Sequence, residues 1–184
     1  MSTLNNIVKA CLKGDSKAQA QLYEKFAGRL YALCLRYANN EDEAKDILQE
    51  GFIKIFDKLQ QYKNKGSLEG WMRKIVVNTA LEKIRKENRF ILLEDETMIE
   101  NEQYKYEHVL EDIGEKELLE MIEELSVQYR MVFNLYAIEG YSHREISQKL
   151  NITEGTSKSN LSRARELLKS KIESRYNIKL SKVI

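Results

Sequence analysis

Residues 142–168 read SHREISQKLNITEGTSKSNLSRARELL, and this stretch decides the fold. Ser142 followed three residues later by Glu145 is a capping box, which opens a short helix with Ile146 and Leu150 turned inward. Asn151-Ile152 makes a turn, and Thr153 caps a second helix from Glu154. A short helix, a tight turn and a longer basic helix make a helix-turn-helix, whose second helix enters the major groove of duplex DNA. On a wheel of about 100° per residue, Ser157, Leu161, Ala164 and Leu168 fall together and face the core. Ser159, Ser162 and Arg163 point the other way, with Lys158 and Arg165 to one side. Short hydroxyls and an arginine suit base edges, and flanking cations suit phosphates. An ordinary solvated face would also be charged, but cap, turn and outward arginine together favour DNA.

The rest of the chain is helical too. It has 184 residues, no proline and only eight glycines, and no stretch alternates long enough to read as a strand. Hydrophobic residues at 42% and charged ones at 32% place it among folded proteins rather than disordered ones. It lacks a run of about 18 apolar residues that could cross a bilayer. Met1 to Asp15 lacks the basic and apolar regions of a signal peptide, so a cytoplasmic protein is expected. Cys11 and Cys34 sit on apolar stripes and read as buried free thiols. His108 and His143 have no second ligand at metal spacing, so neither a metal nor another cofactor is expected. With no nucleophile–base pair and no phosphate loop, an enzyme is rejected.

The formal charge of +1 hides an uneven distribution. From Ile91 to Glu124, two lysines face thirteen carboxylates, a net charge of −11. From Ser142 to Arg175, eight cations face four glutamates, and from Leu68 to Phe90 six face three. Two basic segments therefore flank an acidic one. The fold expected is all-α: two small helical domains, 1–90 and 115–184, joined by a flexible acidic linker over 91–114.

In the first domain, Leu22, Phe26, Leu30, Leu33 and Tyr37 recur at three and four residues, the stripe of an amphipathic helix. Asn40 with Glu43 starts the next helix, which buries Ala44, Leu48, Phe52, Ile55 and Leu59. Its polar side carries Asp46, Gln49, Glu50 and Asp57, with Ile53 among them. Tyr62 to Ser67 reads as a loop, and Ser67 caps a helix running to about Arg89. That helix is apolar over most of its circumference. One stripe escapes: Lys74, Asn78, Glu82, Arg85 and Arg89, headed by Trp71. Such a stripe suits a single nucleic-acid strand, although surface polarity alone would look similar.

Two sets of motifs carry a family resemblance. AKDILQEGF (44–52) and GWMRKIVVNTA (70–80) resemble region two of the sigma-70 family. EGYSHREI (139–146), EGTSKS (154–159) and LSRAR (161–165) are similar to its region four. Region three is missing, as in the extracytoplasmic-function group. The resemblance implies a sigma factor that binds core RNA polymerase and directs promoter-specific initiation, catalysing nothing itself. It assigns Asp46, Gln49, Glu50 and Phe52 to polymerase docking. Trp71, Lys74 and Asn78 would melt the minus-ten element and hold a flipped base, with Arg85, Lys86 and Arg89 near the DNA backbone. Lys158, Ser159, Ser162, Arg163 and Arg165 would meet the minus-thirty-five element. Partners implied are core polymerase, promoter DNA as duplex and as melted strand, and an anti-sigma protein, often membrane-anchored. Departures are Glu82 where many members have Asp, Lys45 within the usual acidic pair, and Ser157 where Val is usual. The alternatives are a helix-turn-helix regulator acting without polymerase, and a sigma mimic that titrates an anti-sigma protein.

Overall fold

The computed structural model describes residues 3–86 and 114–178. The linker expected at 91–114 lies outside the described residues, apart from Gly114, and so does Arg89. The described residues form eight α-helices and no strand, and the chain divides into two units, residues 1–87 and 88–184.

The first unit contains α1 (Thr3–Cys11), α2 (Ser16–Leu35), α3 (Glu41–Lys58) and α4 (Leu68–Lys86). Each start has a local cause. Asp15 accepts from the Lys17 and Ala18 amides at the head of α2. Asn40 accepts from the Glu43 amide at 2.8 Å, while the Glu43 carboxylate reaches back to the Asn39 amide at 2.9 Å. This is a capping box shifted by one residue on its return arm. Ser67 accepts from the Gly70 amide at 3.1 Å and starts α4. Helix α2 packs on α1, α3 and α4, and Leu22, Phe26, Leu30 and Leu33 of α2 are buried, as are Ile47 and Ile55 of α3 and Met72 and Val76 of α4.

Helices α3 and α4 approach closely at Gly51. A β-carbon there would stand 3.0 Å from a Val76 methyl, so only glycine permits this separation without moving Val76. Both cysteines are buried as expected, and burial pushes the Cys34 thiol up to about 12, so it behaves as a small core hydrophobe rather than as a nucleophile.

The second unit contains α5 (Glu115–Glu123), α6 (Val127–Phe133), α7 (His143–Leu150) and α8 (Glu154–Tyr176). Helix α6 runs on into a wider π-helical turn over Asn134–Ile138, which the sequence reading did not foresee. Long α8 is the spine and packs on α5, α6 and α7. Met121, Ile122 and Leu125 bury against Ala164, Leu168 and Ile172. The Arg130 guanidinium, 5% exposed, donates to the Glu123 carbonyl at 3.1 Å, which places positive charge at the C-terminus of α5. On the outside, Lys171 pairs with Glu124, and the Tyr176 hydroxyl donates to Glu117 at 2.6 Å.

Candidate nucleic-acid interface and partner-docking face

The helix-turn-helix expected from the sequence is present. Ser142 and Glu145 form the full reciprocal capping box at the head of α7, and Thr153 caps α8 by accepting from the Thr156 amide. Between them Asn151 takes a left-handed conformation, φ 57°. Asparagine tolerates that region better than most residues, and it lets the Asn151 and Ile152 amides both close onto the Ser147 carbonyl. Ile146, Leu150, Ser157, Leu161, Ala164 and Leu168 are all buried, as the wheel requires.

The outward face of α8 is less uniform than the wheel implies. Lys158 is exposed, and Ser159, Ser162 and Arg163 are half-exposed. The Ser159 hydroxyl donates to the Thr156 carbonyl at 3.1 Å. Arg163 pairs with Glu166 at 3.0 Å, an exposed contact of the kind worth about 1 kcal/mol or less and therefore readily exchanged. Arg165 is turned elsewhere, its guanidinium 5.7 Å from the centre of the Tyr136 ring. It packs on the π-helical turn, because the aromatic face there attracts the cation. The same ring stacks on His143, centroids 4.6 Å apart and planes at 24°. The Nδ1 atom of His143 lies 2.9 Å from the Ser157 hydroxyl oxygen.

On α4, Lys74, Asn78, Arg85 and Lys86 are exposed and Trp71 is half-buried. Spacings of four and seven residues put Lys74, Asn78 and Arg85 on one face. Trp71 leans on Tyr62, rings 5.5 Å apart at 45°, and the Tyr62 hydroxyl donates to the Gly66 carbonyl at 2.8 Å. The loop over 62–67 thus presents a second aromatic beside Trp71. The sequence reading took Tyr62 only as the edge of a loop. Thr79 faces inward, its hydroxyl donating to the Ile75 carbonyl at 3.0 Å.

The polar side of α3 is tied to α4 by ion pairs. Lys54 sits 2.8 Å from both Glu50 and Glu82, and Lys83 lies 3.2 Å from Asp46. Partial burial of Lys54 disfavours its charge, yet hydrogen bonds to Glu50 and Glu82 hold its pKa above the ordinary value. The hydrogen bond from Lys54 likewise lowers the Glu82 pKa, against some desolvation. Lys54→Ala is expected to destabilise the first unit by about 1 kcal/mol, the scale of a screened, partly exposed network. Because the Glu82 pKa is depressed, this contribution is present above the ordinary carboxylate pKa and fades as pH falls through the folded value. Urea midpoints of both proteins at neutral pH and at successively lower pH below the ordinary carboxylate range check this. The gap between them should narrow as the pH falls.

Of the docking residues, Asp46 and Gln49 are exposed and Glu50 is half-exposed. Phe52 is not on this surface. It is 3% exposed and packs 4.5 Å from the Tyr23 ring and 6.0 Å from the Phe56 ring. An aromatic at that point of α3 turns toward α2, so it supports the face from beneath. The apolar residue offered outward is Ile53, 56% exposed. Among the described residues, no cluster of His, Cys, Asp or Glu could hold a metal ion, and no helix is long and apolar enough to cross a membrane.

Comparison with known proteins adds the following. The model of sigma-70 region 2 matches residues 22–90, and that of sigma-70, region 4 matches residues 115–168. The ECF RNA polymerase sigma factor SigE of Mycolicibacterium smegmatis is 32% identical over 164 residues, covering 85% of this chain and 63% of the relative. The chain thus spans less than two thirds of that relative's length. The ECF RNA polymerase sigma factor SigW of Bacillus subtilis is 29% identical over 176 residues, covering 90% of this chain and 94% of its own. The Escherichia coli ECF RNA polymerase sigma-E factor is 29% identical over 178 residues, covering 91% and 93%. Among solved structures, the sigma factor RpoE from Bartonella quintana, in complex with the anti-sigma factor NepR, shares the fold. Its TM-score is 0.50 at 22% identity, over 82% of this chain and 94% of that one.

Proposed function

Since the chain belongs to the sigma-70 family, in its extracytoplasmic-function group, we infer that it binds core RNA polymerase and directs initiation at particular promoters. It is not an enzyme. The observation that carries the reading is the pairing, in one chain and in the family's order, of a stripe of half-buried Trp71 and exposed Lys74, Asn78 and Arg85 with a helix-turn-helix. A plain regulator would use the second and leave the first idle. We divide the chain functionally into residues 1–90 for polymerase docking and the minus-ten element, a linker over 91–114, and residues 115–184 for the minus-thirty-five element.

Asp46, Gln49 and Glu50, with Ile53, form the docking face, and Phe52 shapes it from below. Charged residues around one exposed apolar side chain are the composition of an interface rim around its anchor. Trp71 and Asn78 take the unpaired base, Trp71 by stacking and Asn78 by its amide. Lys74, Arg85, Lys86 and Arg89 neutralise the phosphates beside them. On α8, Lys158 meets phosphate and Ser159, Ser162 and Arg163 face base edges. Arg165 acts from the flank, where Tyr136 holds it. The protein works in the cytoplasm with the polymerase. An anti-sigma protein, often a membrane-anchored one in this group, is its expected regulator.

Arg163→Ala tests the assignment on α8. Releasing Arg163 from Glu166 offsets part of what a base contact gains, so the expected loss of minus-thirty-five discrimination is about tenfold or less. Core polymerase affinity should not change. Competition between promoters with intact and altered minus-thirty-five elements measures the first quantity, and core binding by anisotropy the second. Equal promoter choice in mutant and parent would remove Arg163 from the interface.

A further inference from the structure

Ser157 is completely buried at the start of α8, where a hydroxyl without a partner is destabilising. Its partner comes from another helix: Nδ1 of His143, the first residue of α7, at 2.9 Å. The imidazole is held on its flat side as well, by the Tyr136 ring, and Tyr136 also carries the Arg165 guanidinium. One ring system therefore joins the π-helical turn, the head of α7 and two points on α8 about two turns apart. A buried serine and a partly buried histidine are each unexplained alone and account for each other as a pair.

We propose that His143 is a positioning residue for the minus-thirty-five helix: its ring, clamped between Tyr136 and the Ser157 hydroxyl, sets how α8 leaves the turn, and acidification weakens minus-thirty-five recognition by this protein. The inference rests on α8 being the DNA-facing helix. The chemistry follows from what surrounds the ring. From α8, Lys158, Arg165 and Glu154 act on it. From the π-helical turn there is the Tyr136 ring. On its own segment the charged or titratable neighbours are Glu139, Tyr141, Arg144 and Glu145. Burial first, then Lys158 and Arg165, hold the His143 pKa below its ordinary value, with Glu154 opposing weakly. A proton added to the ring would be a second cation against Tyr136, beside Arg165 and Lys158.

The direction of the pH effect is fixed by that shift. A histidine with a lowered folded pKa is neutral in the clamp, and the unfolded chain takes up its proton first as pH falls. The clamp is therefore intact above the ordinary histidine range, about pH 6.5, and loosens below it. Lys158 and Arg163 ride on the same helix and lose their register on the DNA with it.

The test uses holoenzyme reconstituted from the full chain and core polymerase, with promoter fragments differing only at the minus-thirty-five element. The preference for the intact element should fall roughly threefold or more between about pH 7.5 and about pH 5.5. His143→Asn places an amide nitrogen near the Nδ1 position and cannot titrate in this range. Because it also removes the ring that stacks on Tyr136, it should lower the preference at neutral pH and abolish the pH slope. Parallel slopes in parent and variant overturn the inference while leaving the DNA-facing reading standing. Absence of any minus-thirty-five preference at neutral pH overturns that reading and this one with it. Independently of DNA and of the variant, proton NMR of the parent chain should show the His143 ring titrating below the ordinary histidine pKa. A value at or above it overturns the clamp.

Discussion

With Asn78 replaced by alanine, promoter opening is expected to fall by about tenfold or more while core polymerase binding stays unchanged. Asn78 is exposed on α4, in line with Lys74 and Arg85, so it contributes nothing to the core. Alanine is the better helix former, so α4 is expected to form in the variant. What disappears is a side-chain amide carrying both donors and acceptors. Capture of an unstacked base is worth about 1–3 kcal/mol per well-made contact, and about 1.4 kcal/mol is a factor of ten. Trp71 and its neighbour Tyr62 remain, so stacking persists and the loss is partial. Permanganate reactivity of thymines around the minus-ten element measures opening directly. Unchanged reactivity would show that this stripe of α4 does not touch the melted strand.

The largest stability effect is expected at Met72. Its side chain is fully buried in the contact between α4 and the helices packed on it. Truncation to alanine removes apolar burial and leaves a cavity, together costing about 2–5 kcal/mol. Against a total stability of about 5–15 kcal/mol for a domain, that is a large share. For a unit of this size the melting temperature should drop by at least about 8 °C. Trp71 is the only tryptophan of the chain and lies in the first unit, so its fluorescence follows that unit selectively. Polymerase docking and minus-ten melting should weaken together at elevated temperature, because α3 and α4 share this core. A melting curve indistinguishable from the parent's would contradict the packing described here.

Much of this architecture was legible in the residues, and the reasons differ from place to place. The helix-turn-helix was readable because its signals are local: Ser142 with Glu145, Thr153, and apolar positions at 146, 150, 161, 164 and 168 obey helical geometry alone. Asn40 and Ser67 marked helix starts for the same reason. The π-helical turn at Asn134–Ile138 was not legible, since one extra residue in a turn leaves the apolar pattern nearly intact. Phe52 falls on the buried stripe of α3 by its spacing, and it is buried against Tyr23; only the family resemblance gives it a docking role. Tyr62 was missed because its partner Trp71 lies beyond a turn whose path the sequence does not specify. In the sequence His143 has no second ligand at metal spacing and Ser157 stands where Val is usual, and nothing there links the two. Fourteen residues separate them, and only the tertiary fold makes them a pair. The wheel sets Arg165 beside Lys158 at one side of α8, but its packing on Tyr136 depends on the same illegible turn.

The measurement that tests the central claim most directly is run-off transcription. The purified chain is mixed with sigma-free bacterial core polymerase on a pool of genomic promoter fragments from its own source. New discrete transcripts, absent with core alone and weakened by Asn78→Ala and Arg163→Ala, are the predicted result. Duplex DNA bound by the chain alone, with no core binding and no new transcript, would contradict the account and identify a regulator that acts without polymerase.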